Sequence, residues 1–172
     1  MNASLTLVPI VLIRYVLLRL WSKEAFRRAA FIPPLVGKEI AAFWIYQAAS
    51  FLLVLYLFFL KVDTAFIGFY FGVAVYGLGV LLCSVSFINF AKPKANGINV
   101  SGLYRISRNP IYVAYFICFL GCAIVTDSWV LLILLAVFQI SAHWVILSEE
   151  RWCINQFGAE YLRYMQQVRR YV

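Results

Sequence analysis

The sequence predicts an all-α fold: one domain over residues 1–172, built as a polytopic membrane bundle of about five transmembrane helices plus a C-terminal amphipathic helix. Three observations predict it. Of the 172 residues, 65% are hydrophobic and 13% charged, and the mean hydropathy is +0.87. A soluble domain holds roughly 45–50% apolar and about 25% charged residues, so no water-facing fold covers this much apolar surface. Apolar runs long enough to cross a bilayer alternate with short polar connections. Basic residues crowd into every second connection.

The formal charge of +8 therefore points to a membrane surface before nucleic acid, and no nucleic-acid partner is expected. Twelve of the fifteen Lys and Arg residues fall in three places: Lys23, Arg27, Arg28 and Lys38; Lys92, Lys94, Arg105 and Arg108; Arg151, Arg163, Arg169 and Arg170. The intervening connections hold Lys61 with Asp63, and Asp127 alone. The positive-inside bias then predicts a multi-pass protein with the N-terminus outside and the C-terminus cytoplasmic. Arg19 can snorkel to the surface from the first run, whereas Arg14 sits deeper and asks for a polar cavity or a short, tilted helix.

The first apolar run covers about Leu5 to Trp21 and leads into a basic amphipathic connection ending at Pro33-Pro34. No basic segment precedes it, so a cleaved leader is not expected. The second run, Ala41 to Leu60, carries no charge, and the third, about Phe66 to Phe90, is rich in small residues, including a Gly68/Gly72 pair suited to close helix packing. The fourth and fifth, Pro110 to Val125 and Trp129 to Leu147, are separated by three residues and must form an antiparallel hairpin. Pro110 suits a first helical turn. After Leu147 the pattern turns charged and amphipathic, as in a helix lying on the membrane surface. Residues 1–65 form the N-terminal helices and 66–172 the part that carries chemistry.

The informative segments read SGLYRISRNPIY from Ser101 to Tyr112 and SEERWCINQFGAEYLRYMQQVRRY from Ser148 to Tyr171. Gly102, Tyr104, Arg108, Asn109, Pro110 and Tyr112 form the first block; Glu149, Glu150, Phe157, Gly158, Tyr161 and Tyr164 form the second. The pair resembles the motifs of the isoprenylcysteine carboxyl methyltransferase and phospholipid N-methyltransferase superfamily of integral membrane enzymes, over about residues 66 to 171. Asn109 departs from the histidine common there and cannot titrate near neutral pH, which removes a proton-transfer role from that position.

The resemblance implies S-adenosylmethionine as cofactor and an amphiphilic or lipid-like acceptor: a prenylated cysteine carboxylate, a phospholipid amine, or another hydrophobic amine or thiol. It implies catalytic roles for Arg108, holding an anionic group, and Glu150, orienting the acceptor or removing a proton. Cofactor-binding residues would be Gly77, Gly79, Val100, Tyr104, Asn109, Tyr112 and Glu149, with Gly77-Leu78-Gly79 matching a short G-x-G element. The physical reading agrees: methyl transfer is an in-line displacement that needs alignment, exclusion of water and management of charge, and aromatic rings attract a sulfonium through cation–π contact.

Blander readings stand beside these. Arg108 can anchor topology, Glu149 and Glu150 can be a solvated turn, and Gly77 and Gly79 can serve packing. Gln139 and His143 can make an interhelical hydrogen bond or line an acceptor channel. Cys118 and Cys122 share a helix face as small packing residues, and no metal site is expected. A steroid-reductase-like membrane enzyme using NADPH carries a comparable Arg-His-Pro-x-Tyr element, and a non-catalytic scaffold of the same fold is a third possibility.

Overall fold

The computed structural model describes residues 1–65, 67–93 and 97–172. Phe66, the expected start of the third span, and Lys94 lie outside the described residues. Helices are the regular structure throughout, with no strand among the described residues. Helix α1 runs Ala3–Trp21. Its first turn, Ala3–Thr6, is a 3-10 helix capped by the Asn2 side chain, and over Leu12–Leu17 it widens into a π-helical turn. Extended backbone at Ser22 ends α1, and the Ser22 hydroxyl accepts the Ala25 N–H to start α2, Lys23–Ala29. The basic connection is thus partly helical.

Helix α3, Lys38–Leu57, starts and ends three residues before the predicted bounds. Helix α4 is Phe69–Phe90 and α5 is Pro110–Val125, with proline at its first position. Helix α6, Trp129–Phe157, outruns its prediction by ten residues, because no glycine or proline interrupts the chain until Gly158. There φ reaches +56°, a conformation that favours glycine, and the amphipathic helix α7 occupies only Ala159–Gln167. Helices α1, α3, α4 and α6 are long and apolar enough to cross a membrane. Helix α5, at 16 residues, extends about 24 Å and falls short of a bilayer core of about 30 Å.

Helix α4 packs most extensively on α5, and α3 on α6. Small residues permit the first contact: a Cβ on Gly79 would lie 2.5 Å from the Cys118 backbone nitrogen, and one on Gly121 would overlap the Tyr76 backbone. Gly72 fits against Ile124 and Val125 in the same seam. Cys118 and Cys122 are buried in it as packing residues, Cys122 Sγ donating to Thr6 Oγ1 at 3.3 Å.

The two ends of the bundle differ. At one end, Ala3 N–H donates to Leu60 O at 3.0 Å, Val62 N–H to Met1 O at 2.9 Å and Asp63 N–H to Val125 O at 3.0 Å. The α5–α6 turn lies there, with Asp127 at φ +45°. At the other end gather helix α2, the starts of α3 and α5, and the last turns of α1, α4 and α6. Arg151 on α6 forms an ion pair with Glu39 on α3, its Nη2 donating to Oε2 at 2.7 Å, and tethers Pro34 O at 2.9 Å.

Candidate active site

The polar end is organised by the chain between α4 and α5. Asn89 on α4 accepts the Leu103 N–H at 2.8 Å, and Gly102, at φ +58°, sits so close to that side chain that a Cβ would overlap it. The 3-10 turn Gly102–Arg105 then directs Tyr104 inward. Tyr164 of α7 donates to the Tyr104 carbonyl at 2.6 Å. Burial raises the pKa of both phenols, so they remain protonated.

Arg108, Asn109 and Tyr112 follow at the start of α5 and meet the last third of α6. Arg108 Nε donates to Glu150 Oε1 at 2.9 Å, while its Nη1 donates to Met165 O at 2.9 Å and Val168 O at 2.7 Å. Asn109 Nδ2 reaches Arg170 O at 3.2 Å and, more weakly, Glu150 Oε1 at 3.5 Å. The other Glu150 oxygen accepts from Arg170 Nε at 3.0 Å and Nη2 at 2.8 Å. That contact holds the Arg170 guanidinium above its usual pKa. Glu150 is 4% exposed, and two guanidinium groups balance its buried charge. The segment after α7 becomes a strap across the ends of α5 and α6, with Arg108 N–H donating to Arg169 O at 2.9 Å. Tyr171 OH lies 2.8 Å from His143 Nδ1.

Its neighbour Glu149 has a different environment. Oε1 accepts from Tyr112 OH at 2.8 Å, and Oε2 has no protein partner among the described residues. Both residues line a cavity of about 510 Å³, together with Tyr104, Arg108, Asn109 and Glu150. Other residues of its wall include Arg14 of α1, Glu24, Arg27 and Arg28 of α2, Tyr46 of α3, Phe87 of α4, Asn99 and Tyr115. Two buried atoms in that wall lack a hydrogen-bond partner among the described residues: the donor Arg28 Nε and the acceptor Asn99 Oδ1.

Six of the nine residues predicted from the sequence thus meet at one cavity, and three do not. Gly77 faces open space on the outside of α4, and Gly79 is consumed by the contact with Cys118. Both lie more than two turns of α4 from Phe87, so the G-x-G pair serves the helix surface and the seam rather than the cavity wall. Val100 does not line the cavity and packs behind Ile98, Tyr161 and Tyr164, which do. His143 is engaged by Tyr171, and Gln139 does not line the cavity. Sequence reasoning missed Arg170, Tyr46, Arg28 and Asn99. Arg14 alone had left a signal, as a charge deep in an apolar run.

A helical bundle of membrane-spanning length, with a charged and aromatic cavity at one end, defines an integral membrane protein with an enzyme-like site. More particularly, residues 38–160 match the phospholipid methyltransferase family, and the chain belongs to that family of membrane methyltransferases. The match begins at the start of α3, earlier than the motif blocks, and leaves α1 and α2 outside. No curated protein and no solved structure matches the chain.

Proposed function

We propose that the chain transfers a methyl group from S-adenosylmethionine to an amphiphilic, lipid-like acceptor at the cytoplasmic face of the membrane. The observation that carries this reading is the convergence of Tyr104, Arg108, Asn109, Tyr112, Glu149 and Glu150 on one cavity, in a chain of the phospholipid methyltransferase family. At about 510 Å³ the cavity suits a ligand of nucleoside size. Its unpartnered polar atoms fit this donor: Arg28 Nε for a carboxylate, and Asn99 Oδ1 for a hydroxyl or ammonium group. Tyr104 and Tyr112 offer ring surface to a base or a cation.

When bound, S-adenosylmethionine supplies an electrophilic methyl group on a positively charged sulfur. The residues of this chain align, exclude water and hold protons. Glu149, with one oxygen free toward the cavity, takes the proton that an amine acceptor releases. Arg108 and Glu150 act as positioning residues, because their polar atoms are already committed to one another, to Arg170 and to the strap. The cytoplasmic orientation rests on the basic connections at the cavity end.

The test is equilibrium binding of radiolabelled S-adenosylmethionine and of NADPH to detergent-purified protein, followed by donor turnover against extracted lipids. S-adenosylmethionine is expected to bind and NADPH not to. NADPH binding without S-adenosylmethionine binding would replace this reading by the reductase one.

A further inference from the structure

Arg14 contributes a guanidinium to the cavity from the middle of α1, in the stretch where the helix widens into a π-helical turn. Such turns recur at functional sites. Its Nη1 donates to Tyr115 OH at 3.1 Å, and the rings of Tyr15 and Tyr115 lie 5.8 and 6.0 Å from the guanidinium carbon. No carboxylate lies within ion-pair distance among the described residues, where the ion pairs are Arg108–Glu150, Arg170–Glu150 and Arg151–Glu39. Among the arginines that line the cavity, Arg108 is neutralised by a glutamate, whereas Arg14, at membrane depth, has hydroxyl and ring partners only. A cation held at membrane depth without a counter-ion is costly, and such residues mark ligand sites.

We propose that Arg14 is an anion-recognition site for the acceptor: it pairs with an oxyanion, carboxylate or phosphate, at the head of an apolar chain lodged beside Tyr46, Phe87 and Tyr115. The site rests on the methyl-transfer reading for its purpose but not for its chemistry. It comes from a helix outside the residues matched by the family, so it is a specificity element particular to this chain's N-terminal segment. Tyr115 is its positioning residue, its hydroxyl fixing the guanidinium.

The experiment uses the full chain in nanodiscs of zwitterionic lipid and measures equilibrium binding of dodecyl phosphate, dodecanoate and uncharged dodecanol, with S-adenosylmethionine measured separately. The wild-type protein is expected to bind at least one oxyanion roughly tenfold to a hundredfold more tightly than dodecanol. Arg14→Met should abolish that preference, Arg14→Lys should keep part of it, and Tyr115→Phe should weaken it several-fold. Arg14 and Tyr115 share the cavity wall with the donor-binding residues, so S-adenosylmethionine affinity, measured in parallel, need not stay fixed but should shift much less than the oxyanion preference. Tighter binding of dodecyl phosphate identifies a phosphate-bearing acceptor; tighter binding of dodecanoate identifies a carboxylate. Equal binding of all three ligands by the wild type, or an undiminished preference in Arg14→Met, overturns the proposal. If Arg14→Met fails to fold, the Tyr115→Phe and Arg14→Lys arms decide by the same preference. Loss of S-adenosylmethionine binding in the wild type itself would refute the donor assignment and leave the oxyanion result to stand or fall alone.

Discussion

The seam between α4 and α5 is closed in its middle and open toward one end, and the difference comes from side-chain size. Around Gly72, Gly79 and Gly121 the two backbones touch, with buried cysteines filling what glycine leaves. Two to three turns further along, Phe87 and Phe90 on α4 face Ile111, Tyr112 and Tyr115 on α5, and these larger residues line a cavity. In lipid, where apolar helices gain little by leaving one another's neighbours, close backbone approach is the main source of helix association. The closed stretch therefore holds the pair together while the open stretch carries the chemistry.

The largest effect that this contrast predicts is at Glu150. Glu150→Gln leaves Arg108 and Arg170 without their shared counter-charge. It should lower unfolding stability by about 3–5 kcal/mol and turnover by roughly two to three powers of ten, read by thermal unfolding and donor turnover in reconstituted bilayers. Unchanged stability would mean that the strap is not held through this carboxylate. Next comes Glu149→Gln, expected to lower turnover with an amine acceptor by about a hundredfold while shifting stability by about 1 kcal/mol or less. Equal stability losses in the two variants would erase the distinction between these neighbouring carboxylates. In the closed stretch, Gly79→Ala should cost about 1–3 kcal/mol of stability through overpacking, with turnover per folded molecule retained. The smallest effect belongs to Gly77→Ala, which meets open space and should leave stability equal or raised by up to about 1 kcal/mol. A loss of donor affinity in either glycine variant would return the G-x-G pair to the site.

Much of this architecture was legible because charge and length are properties of the chain alone. The uncharged runs marked the spans, Pro110 marked the start of α5 to the residue, and the three-residue gap fixed the hairpin that brings Tyr112 to Glu149. What escaped depends on distant contacts. Helix α6 runs on past Leu147 without a glycine or proline to stop it, and its polar last third is held by Glu39, Arg108 and Arg170, contacts that a change in local hydropathy cannot reveal. Gly77 and Gly79 fitted a motif by spelling, yet their position along α4 puts them too far from Phe87 to reach the cavity. Arg170 looked like one more surface cation, because nothing local says that the strap folds back. Asn99 and Arg28 become notable only as buried atoms without partners.

The hydrogen bonds that close the far end of the bundle bear on traffic. Met1, Ala3, Leu60, Val62, Asp63 and Val125 are linked there backbone to backbone, while the cavity and its wall lie toward the opposite end. The cavity is therefore a cul-de-sac and not a passage through the bilayer. If the cavity takes S-adenosylmethionine as proposed, the demethylated product fits the same wall, so added product is expected to slow turnover by competing with fresh donor for that space.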